Sequence, residues 1–358
     1  LRDYLKLSKA ELLRKVGSIK QVASIEPISF LDGKAKGLHG YEVRNGRLRY
    51  TVLKDRALDI GQVELDGIPM AWISPVGYSS GYFYEPHDDG WQRNFSGGLL
   101  TTCGLTQVGE PCIDGREHLG LHGRISNTPA SHVSYEENWD GDTLNVTIQG
   151  KVKQCVLFGE NLELSRSIKT SYGSQTIQIH DRVINQGFQP APLMFLYHIN
   201  LGFPLVDEHS YLVCDARNIT AWEGTPHANL IEFDRIPPPD KKVNEEVIHV
   251  DLQPADDQCC YAMLVNPNEE LAFYVKFKKQ HFPRFSIWKG MREGVYSLGF
   301  EPSNCGLNGR LQEKESGHLE WIASFDERIF EAEFGFLQSI ADIQKFIKKT
   351  FGGRHENL

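Results

Sequence analysis

The chain has 358 residues, 40% hydrophobic and 11% aromatic, which is ample material for a core and typical of a globular protein. Its formal charge of −9 argues against nucleic acid and anionic membranes, which select basic faces, and no apolar run approaches the roughly 20 residues of a membrane helix. Seven scattered cysteines without a CxxC pair indicate neither a zinc site nor a disulfide framework, and reduced thiols in a cytoplasmic protein are the simplest account.

The opening stretch, LRDYLKLSKAELLRKVGSI, carries Leu5, Leu12, Leu13 and Val16 as a loose helical stripe and lacks the basic-then-apolar layout of a signal peptide. Residues 1–29 are therefore expected to form an N-terminal helical extension. From residue 30 to 335 the dominant period is two. LRYTVLK, ALDIGQVEL, TLNVTIQ, TIQIHDRVINQG, YAMLVN, LAFYVKF, FSIWKG, VYSLGFE and HLEWIASF all read as strands, with turn clusters such as RNG, LDG and DGD between many of them. Strands without regular intervening helices predict an all-β fold, one large antiparallel β-sandwich with short flanking helices at both ends. IPPPDKKVNEE (236–246) reads as an exposed loop. Residues 336–358 are expected to be a C-terminal helix and tail, with Ile340, Ile343, Phe346 and Ile347 as its stripe and Gly352 and Gly353 as its stop.

Four segments carry candidate chemistry. GWQRNFSGGLLTTCGL (90–105) sets Arg93 before a glycine pair, and an arginine fork suits vicinal hydroxyls, carboxylates or phosphates as well as plain solvation. In EHLGLHGRISNTP (117–129), His122 lies between glycines, where a backbone can approach a ligand closely. His118 and His122 would share a metal if they were on a helix, but Gly120 and Gly123 disfavour that helix. MFLYHINLGFPL (194–205) alternates so that Met194, Leu196, His198 and Asn200 take one face, while Leu193, Phe195, Tyr197, Ile199 and Leu201 take the other. His198 is either a buried histidine satisfied by backbone or water, or an acid–base group where the strand passes into a cleft. In VYSLGFEPSN (295–304), Ser297, Gly299 and Glu301 share a face whose small residues would leave room for a ligand, and Glu301 precedes a proline-led turn. No P-loop, dinucleotide fingerprint or GxSxG elbow occurs.

The order of these pieces resembles the aldose 1-epimerase (galactose mutarotase-like) family. Val183, Asn185, Gly187, Pro192, His198 and Asn200 match its central strands, Gly97–Gly98 and HLGLHGRI its upstream segment, and LGFEPSN the strand of its catalytic glutamate. DRALDIG and GGLLTTCGL are most similar to a bacterial branch of aldose-epimerase-like proteins. The resemblance covers roughly residues 30–335 and implies the galactose mutarotase-like supersandwich. It implies a carbohydrate-binding isomerase in which Glu301 is base and His198 acid, with His122 on the ring oxygen or developing charge. Arg93 or Arg56, Asp257 or Asp256, and Asn200 would hold the sugar. Trp72, Trp91, Trp222, Trp288 and Trp321 are each candidates either to stack on its apolar face or to pack in the core. No metal or organic cofactor is implied, the partner is a small-molecule sugar or derivative, and homodimerisation stays open. A non-catalytic sugar-binding module, or an epimerase or isomerase of a modified sugar, is the alternative on the same fold.

Overall fold

The computed structural model describes residues 3–242 and 245–352. Leu1, Arg2, Val243, Asn244, Gly353 and the expected tail beyond it lie outside the described residues.

Two antiparallel sheets form the body, one of twelve strands and one of eight. Period-two patterns become sandwich layers in the manner of Thr143–Cys155, where Leu144, Val146, Ile148 and Val152 are buried and alternate with more exposed residues. The inward faces of both sheets meet in one hydrophobic core that includes Ile60, Leu164, Val183, Phe195, Phe273 and Phe334.

Strand Ala191–Leu201 is buried along its length, Pro192 alone being half-buried, because both its faces are covered. Leu193, Phe195, Tyr197, Ile199 and Leu201 enter the core between the sheets. Met194 and Leu196 enter a second cluster on the opposite face, with Trp91, Phe95 and Leu307. The apolar run therefore conceals an alternation between two different apolar environments, with the division of residues that the sequence suggests.

Behind this strand a buried ion cluster pins the sheets together. Arg166, from strand Asn161–Ser171 of the smaller sheet, donates to Asp181 Oδ2 at 2.6 Å and to Asp59 Oδ1 at 2.8 Å, Asp59 belonging to the larger sheet. Tyr197 Oη donates to Asp181 at 2.7 Å and Thr102 Oγ1 to Asp59 at 2.6 Å, so the carboxylates are supplied with donors despite full burial.

Two sequence expectations are corrected. The first strand, Ser24–Ser29, pairs with His39–Arg44, so the sheet begins inside the segment expected to be a helical extension. Only Lys9–Leu13 of that segment is α-helical, capped by a Ser8–Glu11 capping box. Pro302 lies inside strand Ser297–Ser303, opposite Phe285, and does not lead a turn there; the extended backbone favoured before a proline suits Glu301 in a strand. The C-terminal helix, Ile340–Phe351, buries Ile343, Ile347 and Phe351 against Val213, Met263, Val265 and Tyr274 on the outer face of the smaller sheet. None of the described helices is long and apolar enough to cross a membrane.

Candidate functional site

Strand register brings His198 and Glu301 together. Ala191–Leu201 and Ser297–Ser303 are neighbours, and the pairings Leu196 with Ser303 and Ile199 with Phe300 set His198 opposite Glu301. Their side chains meet at 3.3 Å between Nε2 and Oε1. Across the sheet, Glu301 is opposite Ser286, Ser286 opposite His249, and His198 opposite Thr101, which makes a polar row on the outer face of the larger sheet. His249 Nδ1 and Ser286 Oγ are hydrogen-bonded at 2.8 Å within that row.

Loops returning over this face turn it into a cleft of about 440 Å³. Its walls are aromatic. Trp72, Trp91, Phe95, Trp222 and Trp288 line it together with His122, His198 and Glu301. The His198 ring lies 5.1 Å from Phe95, 5.5 Å from Trp288 and 6.0 Å from His122, centroid to centroid. Trp91 stacks on Phe95 at 4.3 Å and leans on His122 at 4.7 Å.

His122 owes its position to unusual backbone. Its φ is +55°, uncommon for a residue with a side chain but several-fold enriched in histidine. Gly123 follows at +72°, where a Cβ would stand 2.5 Å from the Gly104 carbonyl oxygen. The Gly109 amide donates to His122 Nδ1 at 3.3 Å, so neutral His122 carries its proton on Nε2 and is a hydrogen-bond donor to the cleft.

Electrostatics follow from burial. His198 and Glu301 are 4% and 3% exposed. Burial pushes His198 down to about 4, with the Asn200 side chain opposing, and pushes Glu301 up to about 8, with Glu245 adding to the shift. It also pushes His122 down to about 3, reinforced by His198. Near neutral pH burial thus favours an uncharged couple, a Glu301 carboxylic acid beside a His198 imidazole, which share one proton. Among the described residues His198 Nδ1 has no hydrogen-bond partner, and the ion-pair contact of Glu301 is with His198.

Other expected contacts lie elsewhere. Arg56 is buried and donates to the carbonyls of Ser79 at 2.8 Å, Asn94 at 3.1 Å and Ser126, so its fork ties together the loops that wall the cleft. Arg93 points outward, with its Nε 3.6 Å from Glu85 and three quarters of its side chain exposed; its neighbours Trp91 and Gln92 face the cleft instead. Asp257 is on the other sheet's side, bound to Lys276 at 2.8 Å and Tyr261 at 2.7 Å, and Asp256 beside it is exposed. Asn200 is fully buried and donates to the carbonyls of Gly98 and His198, so it steadies the histidine's strand and does not line the cleft. The space over Gly299 is filled by Trp288, its partner across the strands. Ser297 donates to the Leu201 carbonyl. Trp321 lies outside the cleft, whereas the other four tryptophans named line it. His118 is in the short strand Glu117–Leu119 with its ring near His87, and the described residues contain no group of three or more His, Cys, Asp or Glu able to hold a metal.

Asp89, Glu110 and Glu245 also line the cleft and were missed. Glu110 and Glu245 sit on loops and Asp89 in the 3-10 helix Asp88–Asn94, where strand alternation carries no information, and Glu245 falls in the segment read as an exposed loop.

Residues 35–336 match the family model described as "Domain of unknown function (DUF4432)". No curated protein matches the chain. Among solved structures, the chain is similar to a "putative aldose 1-epimerase" from Klebsiella pneumoniae subsp. pneumoniae MGH 78578, with 22% identity over 94% of this chain and 91% of that one and a TM-score of 0.87. A galactose mutarotase-like protein from Clostridium acetobutylicum aligns at 10% identity over 89% and 99% of the two chains, with a TM-score of 0.62. Galactose 1-epimerase from Lactobacillus acidophilus NCFM aligns at 16% over 88% and 99%, with a TM-score of 0.58. The fold is the galactose mutarotase-like sandwich.

Proposed function

The chain belongs to the family described as a domain of unknown function (DUF4432), and we propose that it interconverts the anomers of a sugar by general acid–base ring opening and closure. The observation that carries this reading is the buried contact of His198 with Glu301, 3.3 Å apart, at a cleft walled by tryptophans. The sandwich fold shared with proteins named as mutarotases and aldose 1-epimerases supports it.

Mutarotation moves two protons between two oxygens attached to one carbon. A donor and an acceptor one hydrogen-bond length apart match that demand. In the resting cleft Glu301 holds the proton and His198 the lone pair. His198 takes the proton of the anomeric hydroxyl while Glu301 protonates the ring oxygen, and the C1–O5 bond breaks to give the open-chain aldehyde. The couple is then a carboxylate and an imidazolium. After rotation about C1–C2, Glu301 accepts the C5 hydroxyl proton as that oxygen closes on the carbonyl, and His198 returns its proton to O1. Each group is therefore acid in one half of the cycle and base in the other. The assignment of Glu301 as base and His198 as acid describes ring closure. The His122 Nε2–H stabilises developing negative charge on oxygen. Such positioned groups contribute roughly 10²–10⁴-fold each, adequate for a reaction that already proceeds in water.

The test is polarimetry on freshly dissolved α-glucose and α-galactose. Faster approach to equilibrium with protein than without supports the proposal. Sugar binding with no acceleration across a panel of aldoses would leave only a binding module. Deuterium appearing at carbon in D₂O would instead point to chemistry at carbon, as in an epimerase of a modified sugar.

A further inference from the structure

The cleft has a one-sided charge. Four of its lining residues, Asp89, Glu110, Glu245 and Glu301, are carboxylic, and among the described residues no lysine or arginine lines it. Among the described residues the side chains of Asp89 and Glu110 make no hydrogen bond or ion pair, and Glu245 accepts only the Trp288 indole N–H, at 2.7 Å. The cations next in sequence to the lining residues Gln92 and Trp288 are turned away. Arg93 faces Glu85, and Lys289 donates to the Arg235 carbonyl on the core side of its strand. These carboxylates sense one another, since Glu110 is held above its ordinary value by burial, then by Asp89 and Glu245. Acidic clusters alone do not make a site. Here the same cleft also holds His198 Nδ1, buried and without a partner, and four tryptophans whose ring faces attract cations.

We propose that the cleft selects an aldose bearing an ammonium group over its neutral counterpart and rejects phosphorylated and uronic sugars, an inference that rests on the cleft being the sugar site. A cation placed between indole faces and the rim carboxylates gains from both, and the low-dielectric walls focus that field. An anionic sugar would bring its charge beside three carboxylates without an ion-pair partner among the described residues, and no described lysine or arginine lines the cleft to receive it.

Tryptophan fluorescence titrations near neutral pH and at low salt test this. The ligands are glucosamine, glucose, N-acetylglucosamine, glucose 6-phosphate and glucuronate, with galactosamine and galactose to vary ring stereochemistry. The amino sugars are expected to bind about tenfold more tightly than the neutral sugars, the size of a cation–π contact with a screened ion pair. Added salt should narrow that gap, and so should Glu110→Gln with Asp89→Asn, both on the exposed rim. Equal binding of amino and neutral sugars, or preference for an anionic one, overturns the charge inference; if the neutral sugars still mutarotate, the proposed reaction survives it. Selective binding of amino sugars without any change in optical rotation leaves the charge inference standing and removes the reaction. Binding of none of these sugars removes both.

Discussion

Gly299 lies against the His198 ring, so that a methyl group built on its Cα would stand 3.4 Å from His198 Cε1 and 3.1 Å from Trp288 Cβ. Its backbone is ordinary strand, so the constraint is steric. Gly299→Ala is expected to displace Trp288 by a few tenths of an ångström and tilt the histidine. Overpacking of this kind costs about 1–3 kcal/mol. Thermal melts should record that loss, and polarimetry a decrease of about tenfold in anomer exchange, roughly what a small misplacement of reacting groups produces.

Glu301→Gln and His198→Asn should each slow anomer exchange by about 10²–10⁴-fold. Because the two groups act together in one proton exchange with the sugar, the double variant should be scarcely slower than either single one. Tryptophan quenching by the same sugar checks that binding persists. Additive losses would mean that the two residues act separately.

The pH profile should have two limbs. Activity needs His198 neutral and Glu301 protonated, so exchange should fall below about 4 and above about 8, the values to which burial moves the two groups. Stability follows the same signs. Glu301 is raised by folding, so its contribution is full below the ordinary glutamate range and is lost as pH rises through about 8. His198 is lowered by folding, so its contribution is full above the ordinary histidine value and is lost as pH falls through about 4. Chemical denaturation of Glu301→Gln across that range should lack the alkaline decline seen in the parent protein.

Arg166→Met strands two carboxylates, Asp59 and Asp181, in the core. Removing one partner of a buried ion pair costs about 3–5 kcal/mol. Burial already raises Asp59 and Arg166 opposes that shift, so without the arginine Asp59 is raised further and the variant should lose more stability at alkaline than at mildly acidic pH. Denaturant titrations at two pH values give the comparison. A loss below 1 kcal/mol would show that the cluster does not hold the sheets together.

Asp257→Asn and Arg93→Ala should leave anomer exchange unchanged, since the partners of these residues are Lys276, Tyr261 and Glu85, all outside the cleft. A tenfold loss in either variant would return that residue to the site.

What could be read from the sequence is what strand geometry fixes. Alternation placed His198 with Met194 and Leu196 and opposite Tyr197, because a strand has only two faces and a two-sided core covers both. The conjunction of His198, His122 and Glu301 came from the order of motifs, not from periodicity, since register between strands about a hundred residues apart is not local information. Loops were not legible. Arg56 and Arg93 look alike in sequence, yet one is drawn inward by three carbonyls while the other stays in water. Asp89, Glu110 and Glu245 gave no signal because only the return of their connecting segments over the sheet makes them neighbours.

Among the strands that intervene in the chain between those bearing His198 and Glu301 are Cys259–Asn266 and Leu271–Lys278, both of which belong to the opposite layer. The chain must therefore leave one layer, build part of the other and come back before imidazole and carboxyl can meet. Such long-range closure is slow to form. A refolding chain should regain compactness and secondary structure first, and recover chemical competence only as the last arrivals dock.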